Sequence, residues 1–109
     1  MTHVSTTELR ERLEQEETNY VEVLDGDALS VELARYPNPE PKTPHKTDEL
    51  YYIVSGSGKA HVGSERFGIE AGDVIHVERG VEHDFFDIED EITALIVFAG
   101  GEESVLGHE

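Results

Sequence analysis

The stretch Pro44-His45-Lys46-Thr47-Asp48-Glu49-Leu50-Tyr51-Tyr52-Ile53-Val54-Ser55-Gly56-Ser57-Gly58 sets a histidine and a glutamate four positions apart at the head of an apolar run that closes in glycines. In an extended chain, side chains of equal parity share a face, so His45, Glu49, Tyr51 and Ile53 project together. Leu50, Tyr52 and Val54 project to the other side. An imidazole nitrogen and a carboxylate oxygen on one face suit a divalent zinc, iron, manganese or nickel ion, provided a third ligand arrives from elsewhere in the chain. Both parities are apolar, whereas a strand with one solvated face alternates, so a packed layer or a second subunit is expected to cover the outer face.

The third ligand is nominated by Gly72-Asp73-Val74-Ile75-His76-Val77-Glu78-Arg79-Gly80-Val81-Glu82-His83-Asp84-Phe85-Phe86-Asp87, a glycine turn, a short strand, another glycine and a histidine. Together the two segments resemble the cupin family. The family's first motif reads histidine, any residue, histidine, three or four residues, glutamate, six residues, glycine, and Thr43, His45, Glu49 and Gly56 take those places. Its second motif reads glycine, five residues, proline, any residue, glycine, two residues, histidine, three residues, asparagine. Gly72, Glu78, Gly80, His83 and Asp87 line up with it, so Glu78 and Asp87 replace the proline and the asparagine. The likeness runs from residue 43 to 87. It implies an all-β fold, the cupin double-stranded β-helix or jelly-roll barrel, with a divalent ion held by His45, Glu49 and His83.

Thr43 departs from the pattern, because that place supplies a fourth protein ligand in the full motif and a neutral hydroxyl binds transition ions poorly. Two readings stay open. Either two histidines and one carboxylate leave open positions for water and substrate, as in non-haem iron oxygenases, or the substitution marks loss of tight metal binding. Tyr51 and Phe85 are expected to line the pocket. Asp87 shares parity with His83 and is a candidate to orient its ring. His61 shares parity with Lys59 and reads as a surface residue. His76 shares parity with Val74, and the sequence leaves its face undecided. His3 and His108 lie near the ends and are not counted as ligands.

The 109 residues suffice for one domain with one modest core, divided here into an N-terminal arm and helix (1–18), a barrel (19–100) and a tail (101–109). No apolar run approaches the roughly 20 residues that span a bilayer, and no basic-then-apolar leader opens the chain, so a cytoplasmic protein is expected. Without cysteine, any transition ion is held by nitrogen and oxygen. Twenty-five acids against eight bases give a net charge of −17. Such a balance excludes nucleic acid and anionic membrane as partners and resembles the composition of salt-accumulating halophiles. Screening of that self-repulsion should raise the unfolding temperature as salt climbs from low to molar concentration, and an unchanged melting curve would contradict this reading.

Ser5 and Glu8 match a capping box ahead of a short helix over 5–17, whose Leu9 and Leu13 form a thin apolar stripe. Asp25-Gly26-Asp27 suits a hairpin between strand-like runs at 20–24 and 28–36. Pro37, Pro39, Pro41 and Pro44 forbid helix and ladder alike and hold an extended loop before His45. Further runs at 50–54, 59–62, 66–69, 74–77, 82–86 and 92–98 bring the count to about eight strands, with Ser55-Gly56-Ser57-Gly58 read as a hairpin.

Three functions follow from different classes. The first is a metal-dependent enzyme on a small organic molecule, with dioxygenase, isomerase or decarboxylase chemistry implied by the resemblance. The second is a non-catalytic module binding a small molecule or metal, and the third is a remnant serving association. A homodimer through the outer face and the N-terminal arm is expected.

Overall fold

The computed structural model describes residues 3–16, 18–37 and 46–99. His45, Thr43 and the tail assigned to 101–109 therefore lie outside the described residues. Ser5 Oγ accepts the Glu8 N–H at 3.1 Å, which satisfies one of the free donors at the start of helix α1 (Thr6–Glu16). The charged face of α1 looks outward, and Leu9 and Leu13, each 2% exposed, are its buried residues.

Among the described residues six strands follow: β1 (Tyr20–Asp25), β2 (Leu29–Tyr36), β3 (Glu49–Val62), β4 (Glu65–Glu70), β5 (Val74–Val77) and β6 (His83–Ala99). Every pairing is antiparallel, in the order β1-β2-β6-β3-β4 with β5 also on β3. The Asp25-Gly26-Asp27 hairpin is present, and the Gly26 N–H donates to the Leu29 carbonyl at 2.9 Å.

The strand count corrects the expectation of eight. Residues 50–54 and 59–62 belong to one strand, as do 82–86 and 92–98, and Ser55-Gly56-Ser57-Gly58 bends β3 without reversing it. The register between β3 and β6 slips three times across Ile53 to Lys59, so both strands bulge and fold over. Glycine marks that bend because β6 passes against it, not because the chain turns back.

Bending closes the sheet around a core that includes Tyr51, Ile53, Ala60, Ile75, Val77, Ile92 and Ile96. The parity read from the sequence holds along β3, where Glu49, Tyr51 and Ile53 are buried while Leu50 and Tyr52 are exposed. A second cluster lies on the outer face, where Leu9 and Leu13 of α1 pack with Val21 and Leu33 against Val54 and Leu95. The helix thus covers the β1–β2 side of that face. The architecture is the jelly-roll barrel with a short N-terminal helix. Among the described residues no helix is long and apolar enough to cross a membrane.

Candidate functional site

Glu49 opens β3 and His83 opens β6, and the bend brings these two ends together inside the barrel. His83 Nε2 lies 3.2 Å from Glu49 Oε2, with side chains 5% and 1% exposed. The other ring nitrogen fixes the tautomer. His83 Nδ1 is 2.9 Å from the Val81 carbonyl, which only accepts, so Nδ1 carries a proton and donates. In the neutral ring Nε2 then presents a bare lone pair, and the Tyr51 hydroxyl, 3.1 Å away, donates to it.

This geometry is a test of fit for a metal ion. A buried carboxylate calls for a donor or positive centre beside it, and His83 Nε2 stands 3.2 Å from Glu49 Oε2. A proton or a divalent cation meets that need, and imidazole nitrogen with carboxylate oxygen is a donor set for zinc, iron, manganese or nickel. Glu49 and His83 thus supply two donors of the types such an ion takes. Among the described residues no group of three histidine or acidic side chains converges on one point. The third nominated ligand, His45, and the neighbouring Thr43 are outside the described residues.

The remaining candidates separate. Phe85 meets Tyr51 edge to face with ring centres 5.6 Å apart and Tyr36 at 4.8 Å, so three aromatic rings wall the site. Tyr51, His83 and Phe85 line a partly open cavity that His61, Ile75 and Val77 also border. His76 is not brought to this cluster. Ile75 and Val77 take the inner face of β5, so His76 points outward, 3.0 Å from Asp48 Oδ2. That hydrogen bond, followed by one from the Arg79 N–H, holds the Asp48 carboxyl below the usual carboxylate range. Asp87 is not brought there either. Between Phe86 and Asp90 the strand carries extra residues against Ser57–Lys59, which breaks its parity with His83, and Asp87, at φ 46°, pairs with Lys59 at 3.5 Å. His61, on β3, is half-buried.

Tyr36 was missed by sequence reasoning, because it shares parity with Ser30, Glu32 and Ala34, a face of β2 that reads as polar and that the structure turns to the core. Burial first, then the charges of Glu32 and Asp84, push its phenol well above the ordinary range, and burial does the same for Tyr51. The unfolded chain ionises both near pH 10.0 while the folded chain keeps them neutral. Stability is therefore fully present below that pH and is lost as pH rises past it, by about 1.4 kcal/mol per pH unit per phenol. Urea unfolding across the alkaline range should show that decline, with a shallower slope in Tyr36→Phe.

With the geometry in view, comparison places the chain among known proteins. A family model described as a cupin domain matches residues 31–99. An uncharacterized protein of Streptomyces coelicolor, SCO3923, is 39% identical over 56 residues, a match covering 51% of this chain and 53% of that protein. The matched region thus spans about half of that relative. Among solved structures, TT1209 from Thermus thermophilus superposes with a TM-score of 0.73 at 19% identity, covering 92% of this chain and 98% of that one. The DMSP lyase DddQ from Ruegeria pomeroyi gives 0.62 at 22% identity, over 72% of this chain and 41% of that one. At these identities the structures speak for the fold alone. The family model covers more than half of the sequence, and the chain belongs to the cupin family.

Proposed function

We propose that this protein is a small metal-binding cupin that acts on a small organic molecule at a divalent ion held by Glu49, His83 and His45. The observation that supports it is the buried Glu49–His83 pair, with Nε2 turned toward the carboxylate by the Val81 carbonyl. His45 completes the set from its motif position. With Thr43 in place of a fourth ligand, coordination positions remain for water and substrate. A bound ion would supply Lewis-acid polarisation of a carbonyl, carboxylate or hydroxyl, or activation of dioxygen if it is iron. The chain's own contribution is to hold His83 in one tautomer, to exclude water with Tyr36, Tyr51 and Phe85, and to keep a neutral phenol at the site. Dioxygenase- or isomerase-like chemistry is the reading that follows, and lyase chemistry is named for one protein of this fold. The acid excess suits work in concentrated salt inside a cell.

The test is metal content. Protein purified without chelator should carry near-stoichiometric metal, and His83→Ala, His45→Ala and Glu49→Ala should each lose it. Wild-type protein that takes up no metal even when supplied with iron, manganese, nickel or zinc would end the proposal and favour a barrel kept for association. Turnover then separates enzyme from binding module: a screen of loaded protein that finds none would favour the module.

A further inference from the structure

Asp48 stands exposed at the head of β3, one residue before Glu49, and bonds to three other parts of the chain. Its Oδ2 accepts from His76 Nε2 on β5 at 3.0 Å, and its Oδ1 accepts the Arg79 N–H at 3.0 Å. Its backbone carbonyl accepts the Ala99 N–H, at the end of β6, at 3.0 Å. Arg79 lies in a turn that the Val81 N–H closes on the Glu78 carbonyl at 3.2 Å. Such a turn gives the N–H of its second residue no partner of its own, and Asp48 supplies one. Val81 in turn presents the carbonyl that keeps a proton on His83 Nδ1. We propose that Asp48 is a positioning residue for the Glu49–His83 site, stapling the turn that sets the His83 tautomer to the strand end that carries Glu49. The inference rests on the reading of Glu49 and His83 as ligands of one ion.

The ladder alone does not set the distance between the two donors. Glu49 pairs with Phe98 and His83 pairs with Val62, the first and last residues of β3, so their approach depends on the bend and on contacts across the barrel. Asp48 is such a contact. The Gly63 N–H holds the exit of the turn through the Glu82 carbonyl at 2.8 Å, and Asp48 holds its entry through Arg79, so the Val81 carbonyl is fixed from both sides. With the entry released, that carbonyl no longer faces Nδ1 continuously and the neutral ring divides between two tautomers. The form with its proton on Nε2 has no lone pair to offer beside Glu49. Loss of a group that orients a ligand typically weakens metal binding by about 10–100-fold, and Asp48, acting through Val81, belongs at the lower end of that range.

Nitrogen NMR of the imidazole rings in the metal-free full chain reads the tautomer, and competition with a chelating dye reads the affinity for zinc. Asp48→Ala should move part of the His83 population to the Nε2–H form and weaken zinc binding about tenfold. Arg79→Pro removes the donor in place of the acceptor, at a turn position that tolerates proline, and should act in the same direction. Asp48→Asn keeps an acceptor for the Arg79 N–H and should stay close to the wild type on both readouts. Gly72→Ala, which strains a turn that makes no contact with Asp48, should change neither. An unchanged far-ultraviolet circular dichroism spectrum checks that each variant is folded. His83 still wholly protonated at Nδ1 in Asp48→Ala, with zinc affinity intact, overturns the proposal. So does Asp48→Asn as impaired as Asp48→Ala, which assigns the effect to charge, or Gly72→Ala as impaired, which assigns it to stability. Wild-type protein that takes up no zinc or other ion ends the ligand reading, while the tautomer of metal-free Asp48→Ala still decides whether the staple exists.

Discussion

Gly56→Ala should remove a large share of the stability of the domain. Gly56 sits at φ 97°, and a Cβ added there would stand 2.6 Å from the Ile92 Cα and 2.7 Å from the Glu91 carbonyl carbon, closer than any real contact. Both obstacles are backbone of β6, and Ile92 is fully buried, so no side chain can swing away. Left-handed strain contributes about 1–2 kcal/mol and forced overpacking about 1–3 kcal/mol or more, against a total of about 5–15 kcal/mol for a domain. Gly72 provides the comparison. It has nearly the same φ, 96°, but nothing within 4 Å of its Cβ position, so Gly72→Ala carries the strain without the clash. Urea unfolding should show a loss of about 3–5 kcal/mol for Gly56→Ala and about 1–2 kcal/mol for Gly72→Ala. Equal losses would mean that β6 can retreat from the bend. The site would be disturbed as well, because this bend carries the Glu49 end of β3 over to the His83 end of β6.

That bend also shows where sequence reasoning stops. The parity of Glu49 to Ile53 was legible because a strand has a period of two and the run contains no break. The spacing of Gly72, Gly80 and His83 was legible because each glycine holds a positive φ that other residues resist. Ser55-Gly56-Ser57-Gly58 misled because glycine serves both a reversing turn and a close crossing of two strands, and only the position of β6 distinguishes them. The same cause hid Asp87: parity extrapolates from His83 only while the register is unbroken, and a bulge intervenes. For His76 the sequence left two faces equivalent until Ile75 and Val77 were seen packed in the core. The contact of His83 with the Val81 carbonyl has no sequence signature, yet it decides which nitrogen is available to an ion.

Addition of a divalent ion to the metal-free protein should raise the melting temperature by about 10–20 °C at a concentration a hundred times the dissociation constant. Binding to the folded state alone contributes about 2.7 kcal/mol under that condition. A domain of this size shifts by about 4–8 °C per kcal/mol. Glu49→Gln keeps the size of the side chain but removes the anionic donor, so it should fold and show little or no increment. His83→Ala should show none. Tyr51→Phe discriminates further. Nε2 has one lone pair, and in the metal-free arrangement the Tyr51 hydroxyl donates to it at 3.1 Å, so hydroxyl and ion compete for the same position. Removing the hydroxyl should lower metal-free stability by about 1 kcal/mol. It should leave the metal-induced increment no smaller than in the wild type. If the increment instead collapses in Tyr51→Phe while surviving in Glu49→Gln, the phenol is the second donor and Glu49 is not, and the assignment of the site must be redrawn around Tyr51.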